Sequence, residues 1–469
     1  MADRNLELMK NTVILSVGQI IPKLIAIFVL PLLTTFLTKK EYGMYELTLS
    51  VASFIIPLLS IQIQQGVFRF LIDSDSDKES IITTSFCFVL LMFILSLVPI
   101  VLSWVLYCDD IMLAILFWLA YLAEVLLNWA GQVTRGLGDN IKYSISYIIY
   151  SSVYILMLLV FLFLKKSLDV KNVIFSMICA YFISFCFLII KMKINSYYSI
   201  SRVAVKTLKN LLGYSAPMVI SSMALWVVNL SDRFFVSGML GIEMTAIYSV
   251  ANKIPNLFNS VYNIFNLAWT ENTSKLTIKE KKDGYYSIFF KEFYQVIVGM
   301  IILLITVSPL LFRILINNQY KDGYWLMSWL FVGVFFSSLV SFFGSIYVGE
   351  KRTKDVGISS AIGAVINVLI NWFLMEKGGV VIAAVSTIIS YFIIYVYRAV
   401  DVQRYVYIKY DILNIVFGIS VVIVVAILNN RYSLCSTLIS IAIVVIFNVA
   451  FNRRFLKKLA NKLLDKIKR

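Results

Sequence analysis

The chain has 469 residues, 60% of them hydrophobic and 14% charged, with 42 Lys and Arg against 26 Asp and Glu and a formal net charge of +16. So little polar surface excludes a soluble globular protein of this size and predicts an integral membrane protein. There is no histidine, and the five cysteines, Cys87, Cys108, Cys179, Cys186 and Cys435, show no CxxC spacing. A zinc site, a Cys-His nucleophile and a Ser-His-Asp triad therefore have no support.

A helix crossing the hydrocarbon layer takes about 20 mostly apolar residues, because only an intact helix satisfies its own backbone there. Runs of this kind predict about 14 spans, at 12–35, 44–68, 81–106, 111–134, 144–164, 172–192, 211–236, 244–269, 288–316, 323–348, 356–375, 379–398, 412–428 and 433–452. The first run is too long for the apolar core of a signal peptide and no small-residue cleavage site follows it, so it is read as an uncleaved span. Lys and Arg crowd the segments that an even number of spans and a cytoplasmic N-terminus place inside, which predicts both termini in the cytoplasm. The positive charge is mostly this asymmetry and points to anionic inner-leaflet lipid rather than nucleic acid.

In chain order, Thr12, Ser16, Gln19 and Lys23 share one face of the first span, with Lys23 about halfway across. Gln62, Gln65 and Arg69 make a shorter polar face toward the inner end of the second. The run DSDSDKES at 73–80 contains a DxD triplet but has Lys78 where a calcium loop needs glycine, and it reads as a solvated loop. In the fourth span Glu124, Asn128 and Gln132 step by four, and an acid at mid-depth makes Glu124 a candidate for ion coupling.

The seventh span aligns Ser222, Trp226, Asn229 and Arg233, and indole with amides suits sugar rings, whose faces stack while their hydroxyls bond. Asp232, Arg233 and Glu243 lie near the outer end, where an ion pair or snorkelling is cheap, so a structural role is expected for them. The eighth span carries Asn252, Asn256, Asn259, Asn263, Asn266 and Thr270 at steps of four and three, with Lys253 alongside, roughly 15 Å from the outer end. Both mid-span lysines have a proline beside them, IPK at 21–23 and KIP at 253–255, which loosens the helix ladder. A midplane ammonium is costly unless it meets water or an anion, so Lys23 and Lys253 are candidates for anion binding. Asn272-Thr273-Ser274 matches a glycosylation acceptor but falls on the predicted cytoplasmic side. At the C-terminus Leu456, Leu459, Leu463 and Ile467 share a face among cations, predicting an interfacial helix on the inner leaflet.

Two segments recur in order: LTKKEYGMY (37–45) with LGIEMTAIY (240–248), and RGLGDNIKY (135–143) with GEKRTKDVG (349–357). They predict an all-α membrane fold of about 14 transmembrane helices: two pseudo-symmetric six-helix lobes, 1–210 and 211–400, then 401–469 with two further spans and the basic tail. With an even number of spans each, both halves enter from the same side, a parallel repeat with a cavity between its halves that suits alternating access.

The stretch SDRFFVSGMLGIEMTAIYSVANKIP (231–255) resembles the seventh-to-eighth-span signature of Wzx-type polysaccharide flippases, members of the multidrug/oligosaccharidyl-lipid/polysaccharide exporter (MOP) superfamily that also holds the MATE transporters. Residues 18–45 and NVLINWFL at 367–374 look like further parts of that family, and the likeness runs along essentially the whole chain. The resemblance implies a transporter rather than an enzyme, with no catalytic residue, metal or cofactor, whose first, second, seventh and eighth spans line a cationic cavity. Its implied cargo is an oligosaccharide on undecaprenyl diphosphate, carried from the cytoplasmic to the outer leaflet of the bacterial inner membrane for O-antigen, capsule or exopolysaccharide, coupled to H+ or Na+. Implied partners are membrane lipids and a polysaccharide polymerase and ligase. On this resemblance Lys23 and Lys253, with Arg69 and Arg233, hold the diphosphate; Trp226, Asn229, Asn256, Asn259 and Asn263 hold sugar; and Glu124 serves coupling. The alternatives are a multidrug exporter of the same superfamily, whose cavity should hold acids and aromatics, and a membrane polymerase or ligase, which needs a larger outer loop than the sequence predicts.

Overall fold

The computed structural model describes residues 2–72, 76–275, 284–350, 352–430 and 434–453. Among these the chain forms fifteen α-helices and no strand: α1 (Ala2–Phe36), α2 (Lys39–Ser60), α3 (Ile63–Leu71), α4 (Lys78–Cys108), α5 (Ile111–Gly136), α6 (Asn140–Lys165), α7 (Val170–Lys191), α8 (Val205–Leu240), α9 (Ile242–Lys275), α10 (Tyr285–Leu315), α11 (Tyr324–Gly349), α12 (Thr353–Gly378), α13 (Val381–Asp401), α14 (Ile412–Asn429) and α15 (Leu434–Phe451). Each predicted span has a helix over it, the second being α2 and α3 together. The predicted tail helix at 454–469, residues 73–75 of the acidic loop, and the side chains of Thr12, Ser16, Gln19, Asn229 and Ser274 lie outside the described residues.

Helix starts are set by short acidic caps. Asp77, Asp110, Asp139, Asp169 and Asp411 each precede a helix and accept from a backbone N–H in its first turn, which satisfies groups the helix leaves open. Asp110 also pairs with Lys171 at 2.7 Å, tying the start of α5 to α7, and this hydrogen-bonded ammonium holds the carboxyl below its usual value. Asp77, in the acidic loop, caps α4. Thr38 and Glu41 form a reciprocal capping box at the start of α2.

The second span is interrupted where sequence gave no signal. Ile61 and Gln62 both take left-handed conformations, with φ of 46° and 54°, which a β-branched residue such as Ile61 rarely adopts. The break is anchored: Gln62 N–H donates to the Ser60 hydroxyl at 3.2 Å, Gln62 Oε1 accepts from Gln64 Nε2 at 3.0 Å, and Gln62 Nε2 donates to Ser222 Oγ of α8 at 3.0 Å.

Two compact units divide at Met1–Leu230 and Ser231–Arg469, the boundary falling inside α8. In the first, α5 and α6 pack on α7 and α1 packs on α6, close enough at Gly18 that a Cβ would lie 2.4 Å from Ser144. In the second, α11 is the most enclosed helix, in contact with α9, α10 and α13, while α14 and α15 lie along α10. Those two last helices are fastened by polar side chains: Asn429 Nδ2 donates to Ser308 and Ser328 at 3.0 and 2.9 Å, and Asn452 Nδ2 donates to the Gln295 carbonyl at 3.0 Å.

Arg398 of α13, 3% exposed, clamps this unit. Its guanidinium donates to Val340 O of α11 at 2.8 Å and, on α12, to Ser359 Oγ at 2.9 Å, Ser360 Oγ at 3.0 Å and Val356 O at 3.2 Å. Losing it strands buried acceptors at about 1–3 kcal/mol each. Arg398→Met is expected to lower the melting temperature of the purified protein by about 3 °C or more in a tryptophan-fluorescence melt, with Arg398→Lys recovering only part of the loss.

Candidate functional site

Among the described residues ten helices are long and apolar enough to cross a membrane by length and composition, and α2 is the least apolar of the ten. The candidate residues sit mainly on the first, second, seventh and eighth spans.

In the first unit Lys23 is half-buried on α1, between Pro22 and exposed Leu24, and among the described residues it makes no hydrogen bond or ion pair. Arg69 is exposed in the last turn of α3. The Trp226 indole is half-buried, spends its N–H on the Ser50 carbonyl at 2.9 Å and stands 4.7 Å from the Phe54 ring. Ser222 and Trp226 therefore fasten this part of α8 to the second span. Glu124 is half-buried on α5 beside Tyr181 of α7, and one turn along, Asn128 Oδ1 accepts from the Tyr147 hydroxyl at 2.8 Å.

In the second unit the asparagine stripe of α9 has two fates. Asn256 and Asn263 are exposed and Asn252, Lys253 and Asn259 half-buried. Further along, Asn266 Oδ1 accepts from Ser345 Oγ at 3.0 Å and Thr270 shares a 2.7 Å hydroxyl contact with the same serine, so this end of the stripe packs against α11. Glu243 is exposed in the first turn of α9, where the helix dipole favours an acid.

The expected Asp232–Arg233 ion pair is not what forms. Consecutive residues on a helix point about 100° apart, and each turns to its own neighbours: Arg233 Nε donates to Ser249 Oγ at 3.0 Å, while Asp232, 3% exposed, is held by neutral donors. Tyr248 and Thr387 hydroxyls donate to Asp232 Oδ2, each at 2.9 Å, and Asn371 Nδ2 donates to Oδ1 at 2.7 Å. Asn371 Nδ2 also reaches Asn367 Oδ1 at 3.1 Å, Asn367 Nδ2 donates to Ser386 Oγ at 3.3 Å, and Asn371 Oδ1 is buried with no hydrogen-bond partner. One buried carboxylate among neutral amide and hydroxyl oxygens suits a proton or a small monovalent cation; a divalent ion takes more charge. Sequence reading missed this site because its parts come from α8, α9, α12 and α13. The available signal was the four-residue step of Asn367 and Asn371 inside a membrane span.

A helical bundle of this length, with charged groups kept inside apolar spans, defines a multi-pass membrane protein. A family model described as polysaccharide biosynthesis protein matches residues 8–270, and the chain belongs to that family, within the MOP superfamily. A second, MatE, matches residues 217–373. No curated protein matches by sequence. Among solved structures, the lipid II flippase MurJ in an inward closed conformation is similar at a TM-score of 0.68 with 15% identity, over 96% of this chain and 100% of that one. A multidrug resistance MATE family transporter in an inward-facing conformation is similar at 0.64 with 12% identity, over 83% of this chain and 94% of that one. At these identities both speak for the fold.

If Asp232 takes a monovalent cation, sodium at ten times its Kd adds about 1.4 kcal/mol to stability. The wild type is then expected to melt measurably higher in sodium chloride than in choline chloride, and Asp232→Asn to melt at the same temperature in both; equal melting of the wild type in the two salts assigns Asp232 a proton instead.

Proposed function

We propose that this protein is a flippase that moves an undecaprenyl-diphosphate-linked oligosaccharide from the cytoplasmic to the outer leaflet of the bacterial inner membrane by alternating access, with both termini in the cytoplasm. The observation that carries the reading is Lys23: a cation midway along a spanning helix with no anionic partner among the described residues. Such a group is costly in hydrocarbon and is offset by water or by an anion from outside the protein. A diphosphate supplies that anion, and charge-assisted bonds to phosphate strengthen at low dielectric.

In this reading Lys23 and Lys253 hold the diphosphate and Arg69 adds charge at the inner end; Arg233, buried against Ser249, is the least accessible of the four candidates. Asn256, Asn259 and Asn263, with Asn229 and the remaining face of Trp226, meet sugar hydroxyls and ring faces. Glu124 and Asp232 take part in coupling to an ion gradient. The flipped product passes to a polymerase and ligase. The match to polysaccharide biosynthesis proteins and the fold shared with a lipid II flippase support the cargo class. The MatE match supports a second reading, a multidrug exporter, which a drug-accumulation assay separates from the first.

Each charge-assisted phosphate contact is worth roughly tenfold in affinity or more. At matched membrane abundance, Lys23→Ala and Lys253→Ala are each expected to cut surface polysaccharide, the double variant to cut it by at least about tenfold, and lipid-linked repeat units to accumulate. Undiminished export in the double variant overturns the diphosphate role.

A further inference from the structure

The surroundings of Glu124 differ on its two sides along α5. Toward the end of α5 at Gly136, Asn128, Gln132 and Arg135 follow at steps of four, four and three, all half-buried like Glu124 itself. Arg135 Nη1 donates to Gln132 Oε1 at 3.1 Å, and its guanidinium lies 5.3 Å from the centre of the Tyr143 ring, which is 5.0 Å from Tyr147. Acid, amides and guanidinium, none of them fully enclosed, make this the polar face of α5.

Toward the opposite end the polar groups are phenols. Tyr181 of α7 sits against Glu124, and the Tyr150 ring of α6 stacks on Tyr181 at 4.4 Å and 18°. One turn further along α6, Tyr154 lies parallel to Tyr150 at 6.2 Å and 5°, and its hydroxyl donates to the Tyr45 hydroxyl of α2 at 3.5 Å. Tyr154, Tyr45 and the adjacent Glu46 are buried, and Tyr45 lies within two turns of the start of α2.

We propose that Glu124 is a proton-binding site, supplied from the outer side through the hydroxyls of Tyr45, Tyr154, Tyr150 and Tyr181 and open to water from the inner side along Asn128 and Gln132. The proposal rests on the coupling role and the orientation given above, and names the ion. A phenol is at once donor and acceptor, so each hydroxyl passes a proton ahead as it takes one from behind; Tyr154 and Tyr150 meet by their rings, so on this proposal a water carries the proton between their hydroxyls, and the Tyr154 hydroxyl turns from Tyr45 to release it. No phenolate is left, and one proton enters at Tyr45 for each that arrives on Glu124; the reverse wet path releases it to cytoplasmic water. A sodium ion needs several oxygens closing on it at about 2.4 Å, which ring-stacked tyrosines do not provide, and Asn128 Oδ1 is already engaged by Tyr147.

Of the elements packed on α5, α7 brings Tyr181 to Glu124, α6 brings Tyr147 and Tyr150, and α2 places Tyr45 and Glu46 further out. Among the described residues α3 and α4 set no charged group beside it, and on α5 the next charge is Arg135, about three turns away. Glu124 is thus free of a fixed counter-cation and can hold or release its own proton.

Infrared difference spectroscopy on the purified protein reads the carboxyl directly and needs no cargo, so its outcome is independent of whether the flippase reading holds. The wild type is expected to show a protonated-carboxyl band that titrates with pH, that Glu124→Gln removes and that Glu124→Asp shifts. In right-side-out vesicles after an external acid jump, Tyr154→Phe and Tyr150→Phe, which keep the rings and lose the hydroxyls, should reach the same final band but at least about tenfold more slowly, each tenfold being 1.36 kcal/mol of barrier. A wild type without the band, a band that survives unchanged in Glu124→Gln and Glu124→Asp, or wild-type rates in both phenylalanine variants overturns the proposal.

Discussion

Hydrocarbon cannot solvate a polar group, and this constraint decides almost everything about the molecule. It forces the backbone into helices, whose hydrogen bonds close within the segment, and it obliges polar side chains in those helices to find a partner in the protein, in water or in a ligand. Many are spent on holding helices together. Arg398 gives its donors to two neighbouring helices, Asn429 bridges two serines, and Ser222 and Trp226 fasten α8 to the second span. A smaller set is left over: Lys23, Asn256 and Asn263, the polar stripe behind Glu124, and the unmatched oxygen of Asn371.

The constraint also leaves a trace of the internal repeat. All seven prolines of the chain lie inside helices, at Pro22 and Pro31 of α1, Pro57 of α2, Pro99 of α4, Pro217 of α8, Pro255 of α9 and Pro309 of α10. These are the first, second, third, seventh, eighth and ninth spans, the leading three of each half. Proline frees a carbonyl and weakens the ladder, so local pliancy is concentrated in matching places. Tyr45 and Tyr248 end the two copies of the repeated nonapeptide, and both are buried. Their hydroxyls have diverged: Tyr45 accepts from a tyrosine, whereas Tyr248 donates to Asp232.

Legibility follows the range of the interactions involved. Spans were readable because length and apolarity act within one segment, whereas hydropathy put two helix starts at 81 and 144, three or four residues inside the starts that Asp77 and Asp139 cap at Lys78 and Asn140. Two features were not readable. The break at Ile61 and Gln62 carries no turn residue, and its anchor, Ser222, lies 160 residues away. Asp232 looked like an end-of-helix ion-pair partner of Arg233 because depth alone was judged, while its donors Asn371 and Thr387 are 139 and 155 residues distant. Periodicity found the asparagine stripe of α9 but not where it changes from exposed face to packing face at Asn266, since that depends on Ser345 of α11.

On the proposed function the cation Lys23 and the acids Glu124 and Asp232 do different work, and the division has an energetic use. In the proposed cycle a headgroup bound on one side must be released on the other, and a ligand shifts a conformational equilibrium only by the difference in its affinity for the two states. An ion bound equally well in both states does nothing, however tightly it binds. Glu124 and Asp232 are placed to bind unequally, because each is enclosed by side chains from several helices, Tyr181 and Tyr150 in one unit and Tyr248, Asn371 and Thr387 in the other. Rearranging those helices changes how well the carboxylate is held, so loading it favours one arrangement over another. An acid paired with Lys23 would have neutralised its charge and competed with the proposed cargo; Lys23 has no such partner among the described residues, so on this proposal its charge is left to the headgroup while the acids bias the conformation.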